Sequence, residues 1–301
     1  MKCKSIKILL SFLLCALLIP VFPVSAFEDE NLLSTVSAPT KHYQVSEYGA
    51  IMQKLTDYKR SKTKGISSFN SQDDELLEIM KERKEYQDYI YKLKELSETE
   101  LIDLNFDNNQ INAIKNFDGS DEMATRASAT ISATLKLTKF NYTASDNRTH
   151  ASATFNGSWK GTPFFRQQDT IGIGMIGSLS RFVKKSSSNA ITHYDGSVVR
   201  NTYGEYKSSA GQTYKFGIGS DPAHVFKKFT MTYTADADGK NTLMDYGAAY
   251  AHFKGTIPSV GLSIGVSGKN ANIGISFNID ADGKNHGEIE WKKILPRSTY
   301  I

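Results

Sequence analysis

The chain has 301 residues, with 36 basic and 32 acidic side chains, a net charge of +4 and two cysteines. Both cysteines, Cys3 and Cys15, sit at the extreme N-terminus, so the bulk of the chain carries no thiol nucleophile, disulfide framework or cysteine-based zinc site.

Lys2, Lys4 and Lys7 open the chain, residues 8–19 are apolar, and Pro20, Pro23, Val24 and Ala26 precede the acidic start Glu28, Asp29, Glu30. A cationic, then apolar, then small-residue order predicts a secretory signal peptide over 1–26, cut between Ala26 and Phe27. An uncleaved anchor competes, because 8–26 is uncharged over about the length of a bilayer core, but two prolines interrupt it. A lipid on Cys15 would need small residues before it, where Leu13 and Leu14 stand. Cleavage removes both cysteines and three lysines, leaving 33 basic against 32 acidic residues. The remainder divides unequally: 27–126 holds 13 basic and 20 acidic residues (−7), and 127–301 holds 20 and 12 (+8). Opposite fields of this kind act on association rather than on fold, and predict attraction between the halves or different partners for each.

The acidic half predicts helices over 27–118. Val45, Tyr48, Met52 and Leu55 are spaced by three and four. So are Leu76, Ile79, Tyr86, Ile90 and Leu93, with Arg83 interrupting. Each set is the apolar stripe of an amphipathic helix. The polar stretch 61–71 is a loop. Two short helices follow, opened by the capping boxes Ser97 to Glu100 and Asp107 to Gln110. Their outline resembles a DNA-binding hairpin, but the segment is acidic. Residues 119–126 are predicted as a linker. Beyond it, alternation at 130–138, 260–266 and 273–279, with Gly- and Asn-rich turns between, predicts strands with one buried face. The expected class is α+β: a helical region, then an antiparallel β-sandwich or partly open barrel over 127–301.

One hexapeptide occurs twice: Asp236-Ala237-Asp238-Gly239-Lys240-Asn241 and the same letters from Asp280 to Asn285. Alternate carboxylates before Gly resemble half of a calcium loop, which makes Asp236, Asp238, Asp280 and Asp282 candidate calcium ligands, with Thr234 and Asp245 at the outer positions of the first frame. In the second frame Ile289 stands where a bidentate ligand belongs, and Asp-Gly between alternating runs is equally a hairpin turn. No other cofactor is expected. Gly172-Ile173-Gly174-Met175-Ile176-Gly177 matches the dinucleotide fingerprint in letters only, since its flanks alternate like strands.

No catalytic constellation emerges. The six histidines are scattered and read as ordinary surface or core residues; His193 with Asp195, and Glu288 with Glu290, share strand faces without further partners. Tyr203 and Tyr206, beside Arg200 and Lys207 in a polar stretch, are the candidate ligand-binding residues, as rings for sugar stacking with hydrogen-bonding neighbours. The runs 260–266 and 273–279 form a hairpin whose faces divide apolar from Ser, Gly and Asn, as an inserting hairpin requires, yet each is short of a bilayer-spanning strand.

The stretches Ala249-Tyr250-Ala251-His252-Phe253 and Ile257-Pro258-Ser259-Val260-Gly261-Leu262-Ser263-Ile264 resemble an uncharacterised group of signal-peptide-bearing proteins exported by Gram-positive bacteria. The resemblance implies export and lends no catalytic residues. The expectation is a secreted or wall-associated binding protein whose basic domain lies against anionic cell-wall polymers, a glycan or the membrane surface. An intramolecular contact between the acidic and basic regions, releasable near Arg126, is a further expectation. A pore-forming toxin and a glycan-active enzyme are the alternatives, and no nucleic-acid partner is expected.

Overall fold

The computed structural model describes residues 40–63, 72–166, 168–177, 183–193, 197–201, 206–208, 211–217, 225–253, 261–266, 273–278, 291–294 and 297–300. The predicted signal peptide and its cleavage site at Ala26 and Phe27 lie outside them.

The first element is a strand where a helix is predicted. Val45, read as the start of a helical stripe, belongs to β1 (Lys41–Ser46), which pairs antiparallel with β2 (Thr130–Thr143) so that Val45 faces Ile131. Over β1 the period is two: His42 and Gln44 are exposed while Tyr43 and Val45 pack on the core. Helix α1 (Glu47–Thr63) starts directly after it, with the Ser46 hydroxyl accepting from Gly49 N–H at 2.9 Å in the manner of an N-cap. Tyr48, Leu55 and Tyr58 supply its buried face.

Helix α2 (Gln72–Lys94) buries Ile79, Tyr86, Ile90 and Leu93 as the spacing predicts. The interrupting Arg83 has its own partner, since its Nε donates to Asp121 Oδ1 at 2.8 Å. In α3 (Glu98–Asp103) and α4 (Asn108–Lys115) both capping boxes form: Ser97 Oγ accepts from Glu100 N–H while Glu100 accepts from Ser97 N–H, and Asp107 and Gln110 reciprocate in the same way. The predicted linker 119–126 is instead largely helix α5 (Asp121–Ala127), capped by Ser120 and burying Ala124 and Ala127. Its alanines need no side-chain ordering, so a short polar segment can be helical when a core receives that face.

The strands confirm a mixed α+β class with antiparallel sheets. β3 (Arg148–Lys160), β9 (Phe226–Asp238), β5 (Val183–His193) and β6 (Val198–Asn201) extend β1 and β2 into a sheet of order β1-β2-β3-β9-β5-β6. A second sheet runs β13-β10-β4-β8-β7, from β4 (Gln168–Gly177), β7 (Tyr206–Ser208), β8 (Gly211–Gly217), β10 (Leu243–Phe253) and β13 (Trp291–Ile294), with β14 (Arg297–Tyr300) also on β10. Among the described strands neither sheet closes on itself. The predicted hairpin of 260–266 and 273–279 is present as β11 (Gly261–Val266) paired with β12 (Ile273–Asn278).

In β3 every second residue is buried, from Thr149 to Trp159, and the residues between look outward. Phe229 of β9 stacks on Tyr250 of β10 with ring centroids 5.6 Å apart and planes 7° from parallel. The Asp238-Gly239 turn joins these two strands, which lie in different sheets, and is therefore a step between sheets rather than the hairpin expected of Asp-Gly. Gly239 takes a φ of 73° and donates its N–H to Asn147 O at 2.8 Å.

The helices are tied to the strands through backbone groups. Gly161, at a φ of 75°, donates to Asn105 O at 2.6 Å, Asn105 Nδ2 donates to Trp159 O, and Gln110 Nε2 donates to Ser128 O. Phe106 covers Gly161 so closely that a Cβ would sit 2.4 Å from its ring. Gly161→Ala therefore combines a left-handed backbone with a ring clash, and a urea titration should show a loss of about 1–3 kcal/mol. A variant as stable as the parent would contradict the packing described.

Candidate functional site

The predicted ligand-binding residues do not form one patch on one sheet. Arg200 lies on β6 at the edge of the first sheet, and Tyr206 and Lys207 lie on β7 at the edge of the second. Tyr203 lies outside the described residues. Asp236 and Asp238, read as part of a calcium loop, are the extended end of β9. Asp236 Oδ1 sits 2.8 Å from His150 Nδ1, and Asp238 pairs with Arg148 at 3.3 Å. Thr234 shares a hydroxyl contact with Ser152 on β3, and Asp245 belongs to β10 in the other sheet, so these four do not wrap one cation frame. Asp280, Asp282, Glu288, Glu290 and Asp195 lie outside the described residues. Of the fingerprint glycines, Gly172 and Gly174 lie within β4 and Gly177 ends it, and among the described residues no helix opens directly after them to receive a phosphate.

Two other constellations stand out, one buried and one open. The buried one centres on Glu47, at the first position of α1 and fully inaccessible. Its carboxylate accepts from Tyr86 hydroxyl at 2.8 Å, from Phe164 and Phe165 N–H at 2.9 and 2.8 Å, and faces His252 Nε2 at 3.0 Å. His252 Nδ1 lies 2.7 Å from Asp169 Oδ1, Tyr250 hydroxyl donates to Asp169 Oδ2, and Trp159 Nε1 donates to Tyr250 at 3.2 Å. A carboxylate oxygen faces each ring nitrogen, an arrangement that is met when both nitrogens donate, as they do in the imidazolium form. Burial by itself would push the His252 pKa down; the Asp169 charge, with the hydrogen bonds to Asp169 and Glu47, outweighs it and holds the group at about 9. Burial raises the Asp169 carboxyl above its usual range against the pull of His252. Tyr86 and Tyr250 are pushed well up, first by burial and then by the neighbouring carboxylates.

This cluster has the residue types of an acid-base site and none of the access. His252 and both acids are fully buried, so no solute reaches them. The acids also lie on opposite sides of the ring and cannot converge on one ion. Among the described residues no group of three His, Cys, Asp or Glu is arranged to hold a metal. The cluster is a structural key between α1, α2 and the second sheet. Periodicity could not expose it, because Glu47, Asp169 and His252 are far apart in sequence and each reads as a lone polar residue.

The open constellation is a groove of about 600 Å³ on the outward face of the first sheet, crossing β1, β2, β3 and β9. Antiparallel register builds it from two rows. One is His42, Thr134, Asn156 and Thr230; the other is Gln44, Ser132, Ser158 and Lys228. Strand spacing makes each row about 14 Å long, and the rows are about 7 Å apart. The side chains on β2 and β3 are short, whereas β1 and β9 contribute His42, Gln44 and Lys228, so the floor is lower than its ends. The two aromatic residues in the lining, Tyr43 and Phe229, pack on the core; burial pushes the Tyr43 phenol up to about 12. Gly157 leaves room for Phe229 beneath the floor, where a Cβ would stand 2.3 Å from that ring.

No protein-family model and no curated protein matches the chain. Among solved structures, it is similar to the collagen-binding subdomain of the Enterococcus faecalis surface protein ACE at 9% identity and a TM-score of 0.28, over 50% of this chain and 88% of that one. It is similar to the KRT10-binding region domain of the pneumococcal serine-rich repeat protein PsrP at 15% identity and a TM-score of 0.25, over 42% and 79%. Clostridium perfringens delta-toxin matches at 3% identity and a TM-score of 0.19, over 58% and 86%. Likenesses this loose carry no argument about this chain. Among the described residues no helix is long and apolar enough to cross a membrane.

The buried key sets a pH dependence. The pKa of His252 is raised on folding from 6.5 to about 9, so the stability it confers is complete below about 6.5 and lost as pH rises through about 9. The raised Asp169 pKa slopes the same way, favouring the folded state as pH falls towards the ordinary carboxylate range. The urea midpoint should therefore fall between pH 6.5 and 9.5, and His252→Gln should flatten that fall. A midpoint that rises with pH over this window would contradict the assignment.

Proposed function

We propose that the chain is a secreted binding protein acting at the outside of a bacterial cell, and that it takes its ligand in the groove across β1, β2, β3 and β9. The reading also takes the two sheets to form a sandwich, with Trp159, Phe229 and Tyr250 at their meeting faces. Export is supported by the order of charge and apolarity over residues 1–26 and by the resemblance to exported proteins. Binding rather than turnover is supported by the lining of the groove, which among the described residues carries hydroxyl, amide, imidazole and ammonium groups and no carboxylate. Among the described residues it offers no paired acid and base to move a proton. The carrying observation is the register that sets two polar rows side by side on an otherwise regular sheet.

Asn156 lies half-buried near the middle of the groove. Asn156→Trp fills that space from an outward position, so it should leave the thermal midpoint nearly unchanged. Retention of the purified chain on isolated Gram-positive cell walls should fall roughly tenfold, equivalent to about 1.4 kcal/mol. Undiminished retention with an unchanged midpoint would remove the groove as the binding site.

A further inference from the structure

We propose that the groove takes an anionic polyol chain, a run of hydroxylated units joined by phosphodiesters, with Lys228 as the group that receives the charge. The assignment rests on the groove being the ligand site and says what chemistry it selects. Four observations carry it.

Among the described residues the lining has a cation and no acid. Lys228 is exposed at the β9 end of one row and His42 is exposed at the β1 end of the other, while no Asp or Glu contributes to the surface between them. An anion laid in the groove meets the fixed positive charge of Lys228, and none of the lining residues brings a carboxylate to offset it. The floor is made of short donor-acceptor groups. Ser132, Thr134, Asn156, Ser158 and Thr230 each both give and accept hydrogen bonds, which matches hydroxyls that also do both. Ring stacking is missing from the groove, because Tyr43 and Phe229 pack on the core rather than offering a face. A sugar chain held by its apolar ring faces would need such a platform, whereas an open polyol has no flat face to stack. The rows cross four strands, so the site is long and narrow and suits a chain rather than a compact solute.

The full-length chain is titrated with soluble poly(glycerol phosphate), with a neutral glucan of similar length, and with phosphatidylglycerol vesicles. Binding to the phosphate polymer is expected, with roughly tenfold loss on Lys228→Gln and progressive loss as salt rises from about 50 to about 300 mM. The glucan is expected to bind at least about tenfold more weakly. Lys228 is exposed on a strand end, so its variant keeps the parent's midpoint, and equal melting verifies that. Equal binding of glucan and phosphate polymer, or no effect of Lys228→Gln, overturns the assignment. Retention on the vesicles that the soluble polymer fails to displace also overturns it, in favour of a membrane surface. Loss of wall retention in Asn156→Trp alongside indifference to the phosphate polymer defeats this inference and leaves the groove as the site; indifference of wall retention to Asn156→Trp defeats both.

Discussion

The contact between Glu47 and His252 is the constraint on which the rest of the arrangement depends. A carboxylate and an imidazole, both out of reach of water, are 3.0 Å apart although 205 residues separate them in the chain. Burying either charge alone would cost several kcal/mol. The fold avoids that by giving Glu47 four partners and His252 a second carboxylate, so every charge in the cluster is met. Those partners come from α1, α2, the segment after β3, and strands β4 and β10. None of these can move away without stranding a charge, so the helices and the strands are held in one relation.

This changes the meaning of the charge asymmetry along the sequence. The acidic helical region does contact the basic region, but the described contacts are mostly backbone hydrogen bonds and apolar packing. Where the two regions meet in an exposed ion pair, Lys160 with Asp107 at 3.4 Å, both partners are about half exposed and worth little. Release of the helices at Arg126 would take β1 from the edge of β2 and Glu47 from His252. The region is part of the core rather than a detachable mask.

Much of the local structure was legible in the sequence because its causes are local. Both capping boxes need only residues three apart, and the stripe from Ile79 to Leu93 and the alternation of β3 are periodic. The failures have long-range causes. Val45 fits a helical period, but an open edge on β2 takes it as a strand. The step from β9 to β10 is written with hairpin letters, and only the destination sheet distinguishes the two. Residues 119–126 look like a linker until a core exists to bury Ala124 and Ala127. Of the candidate ligand residues, Arg200 and Lys207 are near in sequence but lie on strands of different sheets. The groove depends on register across four strands, which no single segment encodes.

The buried key and the groove are connected through β1. The strand contributes His42 and Gln44 to one end of the groove, and its last residue adjoins Glu47, so the buried key fixes that end of the groove. The most direct measurement of that central claim is a double-mutant cycle between Glu47 and His252, with Glu47→Ala, His252→Ala and the double variant followed by urea unfolding. The account predicts that the double variant loses less than the sum of the singles, by roughly 1–3 kcal/mol. Additive losses would show that the two residues do not hold each other, and would contradict it.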